Sequence, residues 1–180
     1  VARDLTARKH AEQALAESRN DLRRITDAIP GVVYQYRVGP DGAQSFPFAS
    51  RGTKELLGCE AGELEADASI GWSVVVPEDV EGLKASIAVS AAALSPWTHE
   101  FRVCVQDQRV KWLRGASLPE RQADGAIVWY GLFTDVTAHR LAEQQLRFTQ
   151  FAMDHAADAI LVAGPDERIV YANHEACRSL

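Results

Sequence analysis

The string Asp4-Leu-Thr-Ala-Arg-Lys-His-Ala-Glu-Gln-Ala-Leu15 returns almost unchanged as Asp135-Val-Thr-Ala-His-Arg-Leu-Ala-Glu-Gln-Gln-Leu146. A sequence that repeats itself at a fixed offset is built from one structural unit used more than once. The offset persists further along. Asp27-Ala28-Ile29 falls on Asp158-Ala159-Ile160, and after a short deletion Gly39-Pro40-Asp41-Gly42 answers Gly164-Pro165-Asp166-Glu167. The chain is therefore expected to hold the end of one unit at residues 1–6, a linker helix at 7–29 and a whole domain at 30–137. A second linker helix at 138–160 and the beginning of a following unit at 161–180 complete it.

The linker helices carry their own signal. Thr6 is placed to cap the first, and Pro30 stands just past its end. Ala11, Leu15, Ser18, Leu22, Ile25 and Ile29 follow a 4-3-4-3-4 spacing, the stripe of a two-stranded coiled coil. A stripe that narrow buries best against a second helix, so Leu15, Leu22, Ile25 and Ile29 are expected to pair two copies of the chain. An amphipathic helix lying on its own domain would show a similar pattern. The second copy, through Ala142, Leu146, Thr149, Met153, Ala156 and Ile160, keeps the spacing with a weaker stripe.

Between the linkers the period changes to two. Val32, Tyr34, Tyr36 and Val38 alternate with Val33, Gln35 and Arg37 up to the turn at Gly39–Gly42, and Phe46 and Phe48 mark a second strand. Pro47 suits an edge strand or a bulge. Residues 50–92 read as helical pieces: Ser50–Leu57 closed by Gly58, a turn near Ala61–Leu64, and a longer helix from Pro77 to about Ala92. Strands follow at about Thr98–Gln106, Arg109–Leu118 and Ala126–Thr134. Two strands, helices, then three strands give an α+β fold: a five-stranded antiparallel sheet with short helices on one face, flanked by amphipathic helices. The last strand is apolar on both faces, so both faces need cover.

The net charge of −6 argues against a broad nucleic-acid surface. No apolar run is long enough to span a bilayer and no signal peptide opens the chain, so no membrane contact by this segment is expected, although a parent protein could be anchored elsewhere. Three cysteines without CxxC spacing fit free thiols and a cytoplasmic setting.

Six motifs in order now resemble the PAS domain family, in the variant with a C-terminal PAC half. They are Ser50-Arg-Gly-Thr-Lys-Glu-Leu-Leu-Gly58, Trp72 with Val76-Pro-Glu-Asp-Val80, Glu100-Phe-Arg102, Val110-Lys-Trp-Leu-Arg114, Ala123-Asp-Gly-Ala-Ile-Val-Trp-Tyr-Gly131 and Thr134-Asp-Val-Thr137. Asp135-Val-Thr137 is similar to the Asp-Ile-Thr signature that closes such domains, and Ile169-Val-Tyr-Ala-Asn173 to the start of another. The resemblance implies a sensor of a small molecule, redox state or partner that passes its signal through flanking helices. It also implies neighbouring PAS domains and an output domain in the same chain, in bacteria most often a histidine kinase, then a diguanylate cyclase or phosphodiesterase.

Cofactor chemistry finds little footing. Haem-binding members of the family use a histidine on the long helix, and residues 77–92 contain none. The resemblance implies a characteristic Asn-Cys-Arg run for covalent flavin chemistry, and Cys59 lacks it. No metal is expected, because five histidines and three cysteines show no paired ligand spacing. His174-Glu175-Ala-Cys-Arg178 superficially resembles a kinase phosphoacceptor box, but it directly follows a strand and reads as an exposed helix residue. No nucleophile–base pair stands out, so no catalysis is expected here. Tyr34, Tyr36, Phe48, Trp72, Phe101, Arg102, Trp112 and Tyr130 are the pocket candidates for an unidentified small ligand, on the reasoning that a pocket needs polar groups converging among aromatics. A filled core that binds nothing is the rival reading. Asp135 and Thr137 are the relay candidates, with Arg114 expected to pair with Asp135.

Overall fold

A computed structural model describes residues 13, 17, 18, 20–105 and 109–179. Leu15, the string at residues 4–6 and the connection at 106–108 lie outside them. The chain separates into two units, Val1–Val136 and Thr137–Leu180.

The first unit begins with helix α1 (residues 20–28), on which Leu22 and Ile25 are exposed and Ile29 follows just past its end. Strands β1 (Val32–Val38) and β2 (Gln44–Ala49) form a hairpin. Four helices follow: α2 (Thr53–Leu56), α3 (Ala61–Ala66), α4 (Ser69–Ser73) and α5 (Pro77–Ala93). Strands β3 (Trp97–Val105), β4 (Arg109–Arg121) and β5 (Ile127–Asp135) complete an antiparallel sheet in the order β2-β1-β5-β4-β3. This is the α+β architecture the alternating periods imply. Helix α4 is the element the sequence reading does not name, being a short turn with no side-chain cap.

The core lies on the helical face of the sheet. Val32, Tyr34 and Tyr36 of β1 point into it, joined by Phe101 and Val103 of β3, Leu113 of β4 and Trp129 and Phe133 of β5. Leu56, Leu57, Leu64 and Leu83 close it from the helices. The opposite face is mixed, with apolar groups beside Arg102 and the Glu100–Arg114 pair. Val110, Leu118 and Tyr130 stand there, each at least 42% exposed.

Both sheet edges are modified. Strand β2 slips against β1 between Gln35 and Arg37, whose partners Phe48 and Ser45 leave one extra residue on β2. The bulge falls beside Pro47, which has no N–H to offer a ladder, so Phe46 turns inward and Ala49 resumes the inward face. On the other edge, Val76 N–H donates to the Arg102 carbonyl and Cys104 N–H to the Val74 carbonyl. Asp79 accepts the Arg102 N–H at 2.8 Å and grips its guanidinium at 2.7 and 3.0 Å. That guanidinium, hydrogen-bonding first and foremost, holds the Asp79 carboxyl below its ordinary range.

The second unit comprises α6 (Thr137–Asp154), β6 (Leu161–Ala163), β7 (Ile169–Ala172) and α7 (His174–Ser179). Helix α6 stops at Asp154, so Ala156 and Ile160 of the expected stripe lie beyond it. The two turns that match in sequence also match in backbone detail. At Gly39–Gly42 the first N–H donates to the Ala43 carbonyl at 2.8 Å, and at Gly164–Glu167 the matching N–H donates to Arg168 at 2.7 Å. Asp41 and Asp166 accept the amide two residues on in each case. The fourth position needs a left-handed backbone, with φ of 82° at Gly42 and 62° at Glu167. A side chain there costs about 1 kcal/mol or more.

Candidate functional site

Between the sheet and the helices lies a cavity of about 60 Å³. Its walls are aromatic because β1 and β5 are adjacent and both present rings on the same face. Tyr34 stacks on Phe133 with centroids 4.1 Å apart, and Phe101 meets Phe133 edge-on at 5.7 Å. Tyr36 lies between Phe46 at 5.0 Å and Trp129 at 5.8 Å. Such contacts are worth about 0.5–1.5 kcal/mol each beyond area burial.

Two of the tryptophans are pinned to α5. Trp97 donates its indole N–H to Ser86 at 2.9 Å, and Trp129 to Ser90 at 3.0 Å. The serines lie one turn apart on the face that meets the sheet. Ser90 in turn donates to the Ser95 carbonyl at 2.7 Å, tying down the end of α5. A few polar groups face the cavity. Tyr34 hydrogen-bonds Ser117, and burial raises its hydroxyl well above the usual range. Burial likewise pushes Tyr36 up to about 12, while the indole of Trp72 bonds its oxygen. Both tyrosines therefore stay neutral at physiological pH and act as hydrogen-bonding groups rather than bases.

The structure divides the eight pocket candidates. Tyr34, Tyr36, Trp72 and Phe101 line the cavity together. Phe48 does not, because the bulge turns it away from the face Phe46 occupies. Arg102, Trp112 and Tyr130 stand on the opposite face. The Arg102 guanidinium lies 5.6 Å from the Trp112 ring centroid while holding Asp79. Leu57, Val75, Leu83, Ile87, Trp97 and Ser117 also line the cavity, and the sequence reading passes over them. For Ser86 and Ser90 a signal existed: two serines at i and i+4 on a helix that must face tryptophan-bearing strands.

At the exit of the sheet the expected pair is replaced. Arg114 faces Thr134 across the ladder, while Asp135 is opposite Leu113, so Arg114 and Asp135 project to opposite faces. Arg114 is held by Glu100 at 2.6 Å. Lys111 lies beside Asp135, at 3.6 Å, and its ammonium donates to the Glu55 carbonyl of α2 at 2.9 Å. Lys111 thus joins α2, whose C-cap Leu57 lines the cavity, to the last residue of β5. Val136 N–H donates to the Trp112 carbonyl at 2.9 Å, and Thr137 opens α6.

Among the described residues, no group of His, Cys, Asp and Glu is arranged to hold a metal ion, and no helix is long and apolar enough to cross a membrane. His174 is an exposed first residue of α7.

Residues 46–133 match the model of a family described as the PAS fold. A sensory box histidine kinase/response regulator structure from Burkholderia thailandensis is similar at 20% identity and a TM-score of 0.52, over 69% of this chain and 92% of that one. The N-terminal domain of a diguanylate cyclase with PAS/PAC sensor from Marinobacter aquaeolei is similar at 16% identity and a TM-score of 0.50, over 60% and 98%. A PAS domain from Colwellia psychrerythraea gives 16% and 0.50, over 66% and 97%. At these identities the likeness is one of fold. No curated protein matches the chain.

Proposed function

Because the central unit of this chain is a PAS domain, we propose that it is the input and relay segment of a cytoplasmic bacterial signalling protein. It senses a small molecule in the aromatic cavity and passes the change through its flanking helices. One arrangement carries this reading: Leu57, the C-cap of α2, lines the cavity, and Lys111 ties α2 to the strand that continues into α6. The output domain is a histidine kinase first, a diguanylate cyclase or phosphodiesterase next. The segment itself binds and relays and does not catalyse. A cavity of about 60 Å³ is well below the roughly 300–1,000 Å³ of ordinary ligand pockets. It favours a compact ligand over haem or flavin.

A ligand that binds only the folded state raises its melting temperature by mass action, by about 2.7 kcal/mol of stabilisation at a hundredfold excess over Kd. A screen of compact molecules, anionic and neutral, aromatic and aliphatic, against residues 1–180 is expected to find such a shift, and Leu83→Phe, which fills the cavity, is expected to remove it. No shift from any compound would favour the second reading, in which the closely stacked rings are simply a filled core and the domain only dimerises and relays.

The homodimer belongs to both readings. Leu22 and Ile25 are 60% and 62% exposed in the isolated chain, on a helix with a coiled-coil stripe. Sedimentation at micromolar concentration is expected to give a dimer, and Leu22→Glu with Ile25→Glu to weaken it. A wild-type monomer across that range would refute the assembly.

A further inference from the structure

Beside the cavity, where α5 passes β1 and β5, the surface carries a groove of about 570 Å³. The two spaces share a wall made of Tyr36, Trp72, Ile87 and Trp129. Trp129 is only 2% exposed and is pinned by Ser90. Trp72 is held differently. Its indole N–H donates to Gln44 at 2.6 Å and reaches the Tyr36 oxygen, and the Lys84 ammonium lies 5.9 Å from its ring centroid. Gln44 and Lys84 both line the groove. Trp72 also sits on α4, which has no side-chain cap and no buried residue. Of the shared wall, Trp72 is the part that rim contacts hold in place.

The groove has a defined chemistry. Val38 and Ile127 give it an apolar floor, Tyr36 and Trp129 give it ring faces, and Lys84 is its charged lining residue. Among the described residues, no carboxylate lines it. The acid nearest Lys84 is Glu81 at 3.4 Å, which is 88% exposed to water. An apolar, ring-faced groove with one ammonium at its rim is complementary to a flat apolar group that ends in a single negative charge.

We propose that the groove is the mouth of the cavity and binds a small aryl carboxylate, with Trp72 as the movable partition between them. This rests on the sensory reading above and names its ligand class. The carboxylate takes the Lys84 ammonium, drawing it off the Trp72 ring, and accepts a hydrogen bond from the NH2 of Gln44, whose carbonyl oxygen is the atom that holds the indole. Its ring lies against Tyr36 and Trp129. Binding therefore removes the Lys84 contact from the indole and engages the Gln44 side chain that holds it, so occupancy of the groove loosens the partition to the cavity. A neutral aryl compound lacks the charge to take Lys84, and a carboxylate without a ring lacks the apolar contact.

The test uses residues 1–180 and three probes: 3-phenylpropionate, its neutral amide, and propionate. Binding is read by calorimetry and by tryptophan fluorescence. Phenylpropionate is expected to bind and to change the emission, and Trp72→Phe to remove most of that change while Trp97, Trp112 and Trp129 remain. Lys84→Met is expected to weaken binding about tenfold, equivalent to about 1.4 kcal/mol, and Lys84→Arg to restore it. Equal binding of acid and amide, no binding of the acid, or indifference to Lys84→Met would each overturn the proposal. If the acid fails while another compact molecule gives a melting shift that Leu83→Phe abolishes, the groove inference falls and the sensory reading stands. If nothing raises the melting temperature, both fall.

Discussion

Gly52→Ala is expected to destabilise the central domain by about 3 kcal/mol, at the upper end of what an inserted methyl group costs in a tight site. A Cβ at position 52 would lie 1.9 Å from the Gly31 carbonyl oxygen and 2.8 Å from its carbon. Both are backbone atoms, so no side chain can rotate out of the way. Gly31 cannot retreat either. It has a left-handed φ of 120°, and a Cβ on it would itself lie 2.3 Å from the Phe133 carbonyl oxygen. Three backbone segments, at the start of α2, the start of β1 and the end of β5, are in contact with nothing between them. Next to them Ser50 and Val33 exchange two hydrogen bonds, Ser50 N–H to the Val33 carbonyl at 2.9 Å and Val33 N–H to the Ser50 hydroxyl at 3.0 Å. For a domain of this size 3 kcal/mol lowers the melting temperature by roughly 12–24 °C. The contrast is Gly82→Ala in α5, where an added Cβ meets nothing within 4 Å. There the gain in helix propensity should stabilise by about 0.5–1 kcal/mol. Thermal melts of the two variants should move in opposite directions, and a Gly52→Ala domain that melts with the wild type would refute the packing.

Lys111→Met should leave the domain folded and abolish regulation of the output in the full-length parent. The methionine keeps the apolar stem, so packing changes little. What it removes is the ammonium that holds the Glu55 carbonyl and Asp135. A long, partly exposed ion pair contributes only about 0–1 kcal/mol, so the melting temperature should fall by no more than a few degrees. The loss falls instead on coupling, because this ammonium bridges the Glu55 carbonyl of α2 and Asp135 at the end of β5. Arg114→Ala is the control. It breaks a pair with Glu100 on the other face of the sheet and should leave regulation intact. Normal regulation in Lys111→Met, measured as output activity with and without stimulus, would reduce Lys111 to a surface contact.

The elements were legible because their periods differ. Val32 to Val38 alternates at two, Pro77 to Ala93 does not, and turn residues mark the joints. Facing was legible only in part. Tyr34 and Tyr36 share a face by alternation alone, but which face meets the helices depends on pairing with β5. Phe48 was misplaced because one extra residue at Pro47 inverts the phase of β2 after Phe46, and a bulge leaves no mark in a hydropathy pattern. Arg102 and Trp112 looked like pocket residues because their strands carry large groups on both faces. Asp135 drew the wrong partner for the same reason: Lys111 and Arg114 are three positions apart on β4, so they point to opposite sides. Trp72 was found, but its role as a wall was not, since α4 has no periodicity to read.

Chains that carry several copies of one domain face a folding hazard, since a strand of one copy can add to the sheet of its neighbour. The capped edges of this sheet bear on that hazard. On β3, the Arg102 and Cys104 amides that an incoming strand would need already donate to Asp79 and to the Val74 carbonyl. On β2, Pro47 has no amide to offer and Glu65 takes the Ala49 N–H at 3.1 Å. Amides on an edge strand ordinarily exchange with solvent quickly. Here Arg102 and Cys104 should exchange as slowly as interior ones, and tandem copies should fold side by side without trading strands.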